Sequence, residues 1–74
     1  MINKECFILE TQNMNKQEKL FVAIYLDSIE LVEYCIEELY AVPDEIMDIN
    51  NVMKCEKIAK ELIEIYSGNK EKYN

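Results

Sequence analysis

The sequence predicts an all-α protein, or an α protein with a short N-terminal strand or arm, and three observations favour this class. Half of the 74 residues are apolar, a fraction too high for a disordered chain. Glycine and proline occur once each, whereas Leu, Ile, Glu and Lys, which favour helices, are abundant. Apolar residues also recur at helical spacing. A chain of this length forms one domain at most, so residues 1–74 are interpreted as one small acidic helical domain.

The first predicted elements are an N-terminal arm and a long helix. Residues 1–14 form an arm or a short strand, because the apolar run in KECFILE is too short to distinguish them. A helix is expected at residues 16–41, because Asn15 and Glu18 have the spacing of a capping box. No glycine or proline interrupts this segment, and Pro43 ends it, since the residue before a proline is disfavoured in the α region.

A second helix is expected at residues 51–66, which completes a helical hairpin. Its apolar residues fall on one broad face, and acids and lysines alternate on the other, where three pairs lie four residues apart: Glu56–Lys60, Lys57–Glu61 and Lys60–Glu64. Residues 67–74 are expected to form a loose tail.

Two alternatives concern LFVAIYL, residues 20–26. The segment is rich enough in β-forming residues to be a strand, which would make the fold α+β, although helix is the preferred interpretation. The long helix can also break at Asp27–Ser28, with Asp27 and Glu30 capping a new helix. As a helix, LFVAIYL is apolar on all sides, so pairing of two hairpins into a dimeric four-helix bundle would cover it.

The formal net charge of −7 comes from one segment of the chain. No lysine lies between Leu20 and Met53, and arginine is absent throughout. That segment holds eight of the fifteen acidic residues, namely Asp27, Glu30, Glu33, Glu37, Glu38, Asp44, Glu45 and Asp48.

On a helix, three of these acids form a stripe. At about 100° per residue, Glu30, Glu33 and Glu37 lie on one side, opposite the apolar positions. Like charges at these spacings destabilise a helix, which indicates that a basic partner surface neutralises the stripe. The alternative is that the acids only keep a small apolar domain in solution.

Composition argues against several functions. Histidine is absent, which excludes Ser–His and Cys–His nucleophiles and the usual zinc sites, so no enzyme activity, metal or cofactor is expected. Cys6, Cys35 and Cys55 are interpreted as small hydrophobic residues. No stretch approaches the ~20 apolar residues that span a bilayer, and no signal peptide is recognisable, so a cytoplasmic location without membrane contact is expected. Direct binding to nucleic acid is disfavoured, because phosphates would be repelled.

The resulting functional hypothesis is a non-enzymatic regulator or inhibitor that binds a basic protein, one that itself handles nucleic acid. The carboxylates would occupy the positions of phosphates, as in phage-type inhibitors, antirepressors or antitoxins. The eight acids are expected to make the contact. Tyr34 and Tyr40, at the borders of the stripe, are added as anchors because tyrosine is common at binding hot spots. Another hypothesis is a structural module that only dimerises.

The stretch LDSIELVEYCIEELYAVPDE, residues 26–45, resembles acyl carrier proteins. Asp27-Ser28-Ile29 resembles the Asp-Ser-Leu motif that opens an acidic helix in that family, and Val32-Glu33-Tyr34 follows at the offset of its Val-Glu-Leu. Val42-Pro43-Asp44-Glu45 is similar to the family's Ile-Pro-Asp-Glu. The resemblance implies that Ser28 carries phosphopantetheine and that the stripe of glutamates meets basic partner enzymes.

Overall fold

The computed structural model describes residues 2–68, which contain four α-helices, a π-helical turn and no strand. The helices are α1 (Lys4–Glu10), α2 (Lys16–Tyr25), α3 (Ile29–Glu37) and α4 (Ile49–Ile63), and the π-helical turn is Glu64–Gly68. The all-α prediction is therefore confirmed. None of these helices is long and apolar enough to cross a membrane. The loose tail was expected at residues 67–74, of which residues 69–74 lie outside the described residues.

The N-terminal segment is a helix, so the expectation of an arm or strand at residues 1–14 is wrong. Asn3 caps α1, since its side-chain oxygen accepts a hydrogen bond from the Cys6 N–H at 2.8 Å. Phe7 is fully buried, and the Thr11 hydroxyl donates to the Phe7 carbonyl at 2.7 Å. A helix pairs its backbone groups within itself, whereas a lone strand would leave them without a partner. The short apolar run could not reveal this preference.

The capping box predicted at the start of α2 is confirmed. The Asn15 side-chain oxygen accepts from the Glu18 N–H at 2.8 Å, and the Glu18 carboxylate accepts from the Asn15 N–H at 3.0 Å. Two of the N–H groups that a helix start leaves without helical partners are thereby satisfied.

The single long helix at residues 16–41 is wrong, and the alternative of a break at Asp27–Ser28 is right. Asp27 has a φ of 58°, in the left-handed region. The Asp27 N–H donates to the Ile24 carbonyl at 2.9 Å, and the Ser28 N–H donates to the Ala23 carbonyl at 3.4 Å. These two bonds form a Schellman motif, which ends α2. Asp tolerates the left-handed conformation better than most residues, which is why this position can end a helix without glycine.

Ser28, and not Asp27, caps the new helix. Its backbone is extended, and its side-chain oxygen accepts from the Leu31 N–H at 3.3 Å. Asp27 cannot take this role because its left-handed backbone already ends α2. One dipeptide therefore ends one helix and begins the next, and α3 turns back to pack against α2.

α2 is the central helix of the fold. It packs against both α3 and α4, which do not approach each other closely within the described residues. LFVAIYL lies in α2 and its C-cap, so the strand alternative is wrong. Leu20, Val22 and Ala23 of this segment are fully buried. Because neighbours of the same chain cover α2 from two sides, the apolar character of this segment does not require a second copy. Dimerisation itself stays a prediction.

The last helix lies near its predicted position of residues 51–66. It begins at Ile49, two residues earlier than expected, because the Asp48 carboxylate accepts from the Asn50 N–H at 3.0 Å and caps it. Of the three predicted pairs, Lys60 and Glu56 are 3.6 Å apart, whereas Lys57–Glu61 and Lys60–Glu64 do not come within 4.0 Å among the described residues. After Ile63 the chain continues as the π-helical turn.

Tyr66 in that π-helical turn ties the C-terminal end to α1. Its hydroxyl donates to the Glu10 carboxylate at 2.8 Å. This hydrogen bond raises the pKa of Tyr66 to about 12, since ionisation of the phenol would remove the donor proton.

Gln17 fixes the chain after α3, which ends at Glu37 rather than near residue 41. The buried Gln17 amide donates to the Val42 carbonyl at 2.8 Å and accepts from the Val42 N–H at 3.1 Å. One side chain thus satisfies both backbone groups of Val42 and holds the segment before Pro43 against the start of α2.

We expect Gln17→Ala to lower the free energy of unfolding by about 1–3 kcal/mol, because the Val42 N–H loses its partner and the Val42 carbonyl keeps only the longer hydrogen bond from the Glu45 N–H, at 3.2 Å. Gln17→Glu keeps the acceptor but places a buried carboxylate oxygen against the Val42 carbonyl, so it should be at least as destabilising as the alanine variant. Urea denaturation followed by circular dichroism measures the differences. An alanine variant as stable as the wild type would contradict the role of this amide.

Candidate protein-binding surface

The acidic stripe predicted from the sequence lies on the outer side of α3. We refer to Glu30, Glu33 and Glu37 as the acidic face. All three side chains are exposed, while Leu31 and Cys35 on the other side of α3 are fully buried. The helical pattern of the sequence therefore placed these glutamates correctly with respect to solvent.

The lysines of the described residues do not neutralise the acidic face. Ion pairs within 4.0 Å in residues 2–68 join Lys4 to Glu38, Lys54 to Glu18 and Lys60 to Glu56, and none includes Glu30, Glu33 or Glu37. The pair between Lys54 and Glu18, at 3.9 Å, links α4 to α2. Lys4 and Glu38 thus pair at the C-terminal end of α3, and the other two pairs lie on α2 and α4.

Glu37 carries an additional electrostatic cost because it lies in the last turn of α3. The C-terminal end of a helix bears a partial negative charge, which disfavours carboxylates there and favours cations. The last turn of α3 contains no basic residue. Glu30 is different, since an acid in the first turn is favourable. The fold therefore gives Glu30 a local reason to be acidic and gives Glu37 none.

Glu38 and Tyr34 lie on the side of α3 that α1 covers. The Lys4 ammonium is 3.4 Å from a Glu38 carboxylate oxygen and 5.1 Å from the centroid of the Tyr34 ring. Tyr34 meets the Phe7 ring edge to face, with centroids 6.4 Å apart. Glu38 has no lysine within helical reach in the sequence, and α1 brings one from 34 positions away. Both residues thus have contacts within the chain, and their role in binding a partner stays a prediction.

Tyr40 projects into solvent from a strained backbone position. Its φ is 62°, in the left-handed region, and 73% of its surface is exposed. The Ala41 N–H donates to the Cys35 carbonyl at 2.9 Å and closes the end of α3 around it. Glycine usually occupies such a position, since a side chain costs about 1–2 kcal/mol there. The left-handed backbone ends α3, but the fold does not need a tyrosine side chain for this, since glycine would adopt the same conformation without the cost.

The acids after α3 are exposed, but they differ in what they contact. Asp48 caps α4 and so has a structural role. Asp44 and Glu45 follow Pro43 in a turn, where the Glu45 N–H donates to the Val42 carbonyl at 3.2 Å. Asp27 is exposed at the junction of α2 and α3.

Exposed apolar side chains occur among these acids and were missed in the sequence. Ile29 is 76% exposed and Ile46 is 94% exposed, and Ile24, Val42 and Ile49 are also exposed. For Ile24 and Ile29 the signal was the break at Asp27–Ser28, because a change of helix direction removes residues on both sides of it from a common buried face. These two side chains line one cavity, and apolar groups exposed together in a small domain are typical of a protein-binding surface.

Two of the three cysteines lie in the core. Cys35 and Cys55 are fully buried, as expected, whereas Cys6 is partly exposed. Burial raises the pKa of the Cys35 thiol to about 11 and also raises that of Cys55, so both are protonated at neutral pH. No cluster of Cys, Asp or Glu among residues 2–68 is arranged to hold a metal ion.

Ser28 opens α3, where the resemblance to acyl carrier proteins places the modified serine. Its side chain is partly exposed, and its oxygen accepts one hydrogen bond, from the Leu31 N–H. No protein-family model, curated protein or solved structure matches the chain.

We expect Tyr40→Gly to raise the free energy of unfolding by about 1 kcal/mol, because glycine adopts a positive φ without steric cost. Chemical denaturation of the two proteins measures the difference. Tyr40→Phe serves as the control and should leave stability unchanged, since it keeps the side chain at the strained position. A less stable glycine variant would mean that the ring contributes to folding.

Proposed function

We propose that this protein acts by binding a basic protein through the acidic face of α3, and that it regulates or inhibits that partner without catalysing a reaction. The observation that carries the proposal is the state of Glu30, Glu33 and Glu37. They are exposed side by side on one helix, and no lysine of the described residues lies within ion-pair distance. Repulsion at i,i+3 and i,i+4 spacing weakens the helix that carries them.

The contrast with other acids of the chain supports this proposal. Glu18 completes a capping box and pairs with Lys54, Asp48 caps α4, and Glu38 pairs with Lys4. Each has a contact that stabilises the fold. The three glutamates of the acidic face make no ion pair among the described residues and repel one another, and a partner that supplies cations would remove this repulsion on binding.

Tyr40 supports the proposal independently of charge. An exposed tyrosine held in the left-handed region costs stability and contributes no buried surface to the core. Strained backbone positions are concentrated at functional sites, and tyrosine is enriched at binding hot spots. We therefore include Tyr40 among the contact residues, together with the acidic face and with Asp27, Asp44 and Glu45.

The charge also restricts the class of partner. A face of carboxylates attracts surfaces rich in Lys and Arg, and it speeds the encounter at low salt. Proteins that handle nucleic acid carry such surfaces, which normally neutralise phosphates. A cytoplasmic inhibitor, antirepressor or antitoxin that occupies a nucleic-acid-binding surface fits these properties.

The charge-reversal variant Glu30→Lys, Glu33→Lys, Glu37→Lys tests this proposal. We expect it to weaken capture of the partner on the order of a hundredfold, because three attractive contacts become repulsive. The assay is a pull-down at low and at high salt, with bound proteins identified by mass and affinity then measured on the purified partner. High salt should release the wild-type complex, because exposed charges are screened.

A matched control changes the net charge equally at exposed glutamates away from the acidic face. Glu5→Lys, Glu61→Lys, Glu64→Lys meets this requirement, since all three residues are exposed and lie on α1, α4 and the π-helical turn. It should bind nearly as well as the wild type. Equal loss in both variants would mean that only net charge matters, and unchanged affinity of the α3 variant would refute the proposal.

A second candidate is a divergent carrier protein loaded on Ser28. It is favoured by the position of Ser28, which is the N-cap of α3 and immediately precedes the helix that carries the acidic face. The short connection at residues 26–28 is an argument against it, since acyl carrier proteins place a long polar loop before their serine. In this case the acidic face would meet basic carrier-dependent enzymes.

Co-expression with a phosphopantetheinyl transferase separates the two candidates. A carrier gains the mass of the phosphopantetheinyl group, and Ser28→Ala abolishes the gain. We expect no gain for the wild-type protein, measured by intact mass spectrometry. The alanine variant should still fold, with a loss of about 1 kcal/mol for the missing cap. Stoichiometric loading of Ser28 would establish the carrier function instead.

A further inference from the structure

An open cavity of about 200 Å³ lies where α2 ends and α3 begins. It is lined by Ile24, Asp27, Ser28, Ile29 and Val32. Three of these residues are aliphatic, and the other two are the dipeptide that ends one helix and caps the next. The cavity therefore exists because of the break, which places the last turn of α2 beside the first turn of α3.

The walls of this cavity are formed by apolar side chains that remain exposed to solvent. Ile24 and Ile29 are both exposed, and Val32 is only partly covered. A cavity of roughly 150 Å³ with aliphatic walls is large enough to bind benzene, so this one can accept a side chain of the size of leucine. Hot spots of protein interfaces have this form, in which an apolar anchor fills a pocket with a charged rim.

Charge decides what enters the cavity. Asp27 is one of its lining residues, Glu30 of the acidic face lies in the first turn of α3, and Glu33 lies one turn further on. A second copy docked face to face would bring the same carboxylates together, because no lysine lies between Leu20 and Met53. An anionic membrane would be repelled in the same way. A basic protein segment has the complementary charge.

We infer that this cavity is the anchor pocket for the basic partner, and that it receives one leucine-sized apolar side chain flanked by Lys or Arg. The flanking cations pair with Asp27 and Glu30, while the apolar side chain covers Ile24, Ile29 and Val32. This inference rests on the proposed function and specifies the sequence that the partner presents, which is a basic segment interrupted by one large aliphatic residue.

Three synthetic pentapeptides and the full chain test the inference. The first peptide has a leucine between two pairs of lysines, the second has alanine in place of leucine, and the third has leucine between two pairs of glutamates. Methyl resonances of the isoleucines and valines report binding by NMR. We expect the basic leucine peptide to shift the Ile24, Ile29 and Val32 signals and to bind at least tenfold more tightly than the alanine peptide.

Two variants localise the effect. Ile29→Ala removes an exposed wall of the cavity and should reduce the preference for leucine over alanine to less than threefold. Ile46→Ala is the matched control, since Ile46 is also exposed but does not line the cavity, and it should keep the preference. Circular dichroism of both variants is the control for folding, and both spectra should match that of the wild type.

The outcomes distinguish failure of the pocket from failure of the acidic face. If both basic peptides bind equally and salt releases both, the acidic face binds cations and the anchor inference is overturned. If the acidic leucine peptide binds as well as the basic one, or if neither basic peptide shifts any methyl signal at millimolar concentration, the inference and the proposed function are both overturned.

Discussion

The left-handed backbone of Asp27 is the constraint on which the rest of the structure depends. It ends α2 through the Schellman bonds and leaves Ser28 extended, so that Ser28 caps α3. Without this reversal, residues 16–37 would continue as one helix and LFVAIYL would keep an uncovered apolar side. With it, α3 covers one side of α2 and α4 covers another. The same reversal turns the acidic face outward and forms the cavity at Ile24, Ile29 and Val32.

Ion pairs and caps are distributed unevenly over this small fold. Lys4 and Lys54 join separate helices through Glu38 and Glu18, and a network of side-chain caps begins each helix. These contacts matter because a chain of this length buries a modest core. Against that background, the repulsion along α3 and the strain at Tyr40 are costs that the fold does not recover. Both lie on exposed groups, and this is the basis on which we propose that they serve binding rather than folding.

Local patterns made part of this structure predictable. The all-α class, the capping box at Asn15 and Glu18, and the outward orientation of the acidic face follow from spacing within one or two helical turns. The break at Asp27–Ser28 was visible only as an alternative, since nothing in the sequence shows that Asp27 adopts a positive φ. The helix at Lys4–Glu10 was hidden in an apolar run too short to interpret.

Contacts between distant residues were not predictable at all. Lys4 meets Glu38 across 34 positions, and Gln17 meets Val42 across 25. Such pairs depend on how the helices pack, which no periodicity of the sequence encodes. At the candidate site, the sequence identified the carboxylates, but it did not show that Glu38 pairs with Lys4 or that Asp48 caps α4. It also did not show that Ile24 and Ile29 are exposed.

The central claim is that the carboxylates of the acidic face are repulsive within the free chain and therefore available to a partner. The most direct test is the free energy of unfolding of the wild type and of the variant Glu30→Gln, Glu33→Gln, Glu37→Gln, from roughly 20 mM to roughly 500 mM NaCl. Screening should stabilise the wild type, whereas the glutamine variant should be more stable at low salt and respond less. An equal salt response in both proteins, or a wild type that loses stability as salt rises, would contradict the claim, because the glutamates would then be neutralised within the chain.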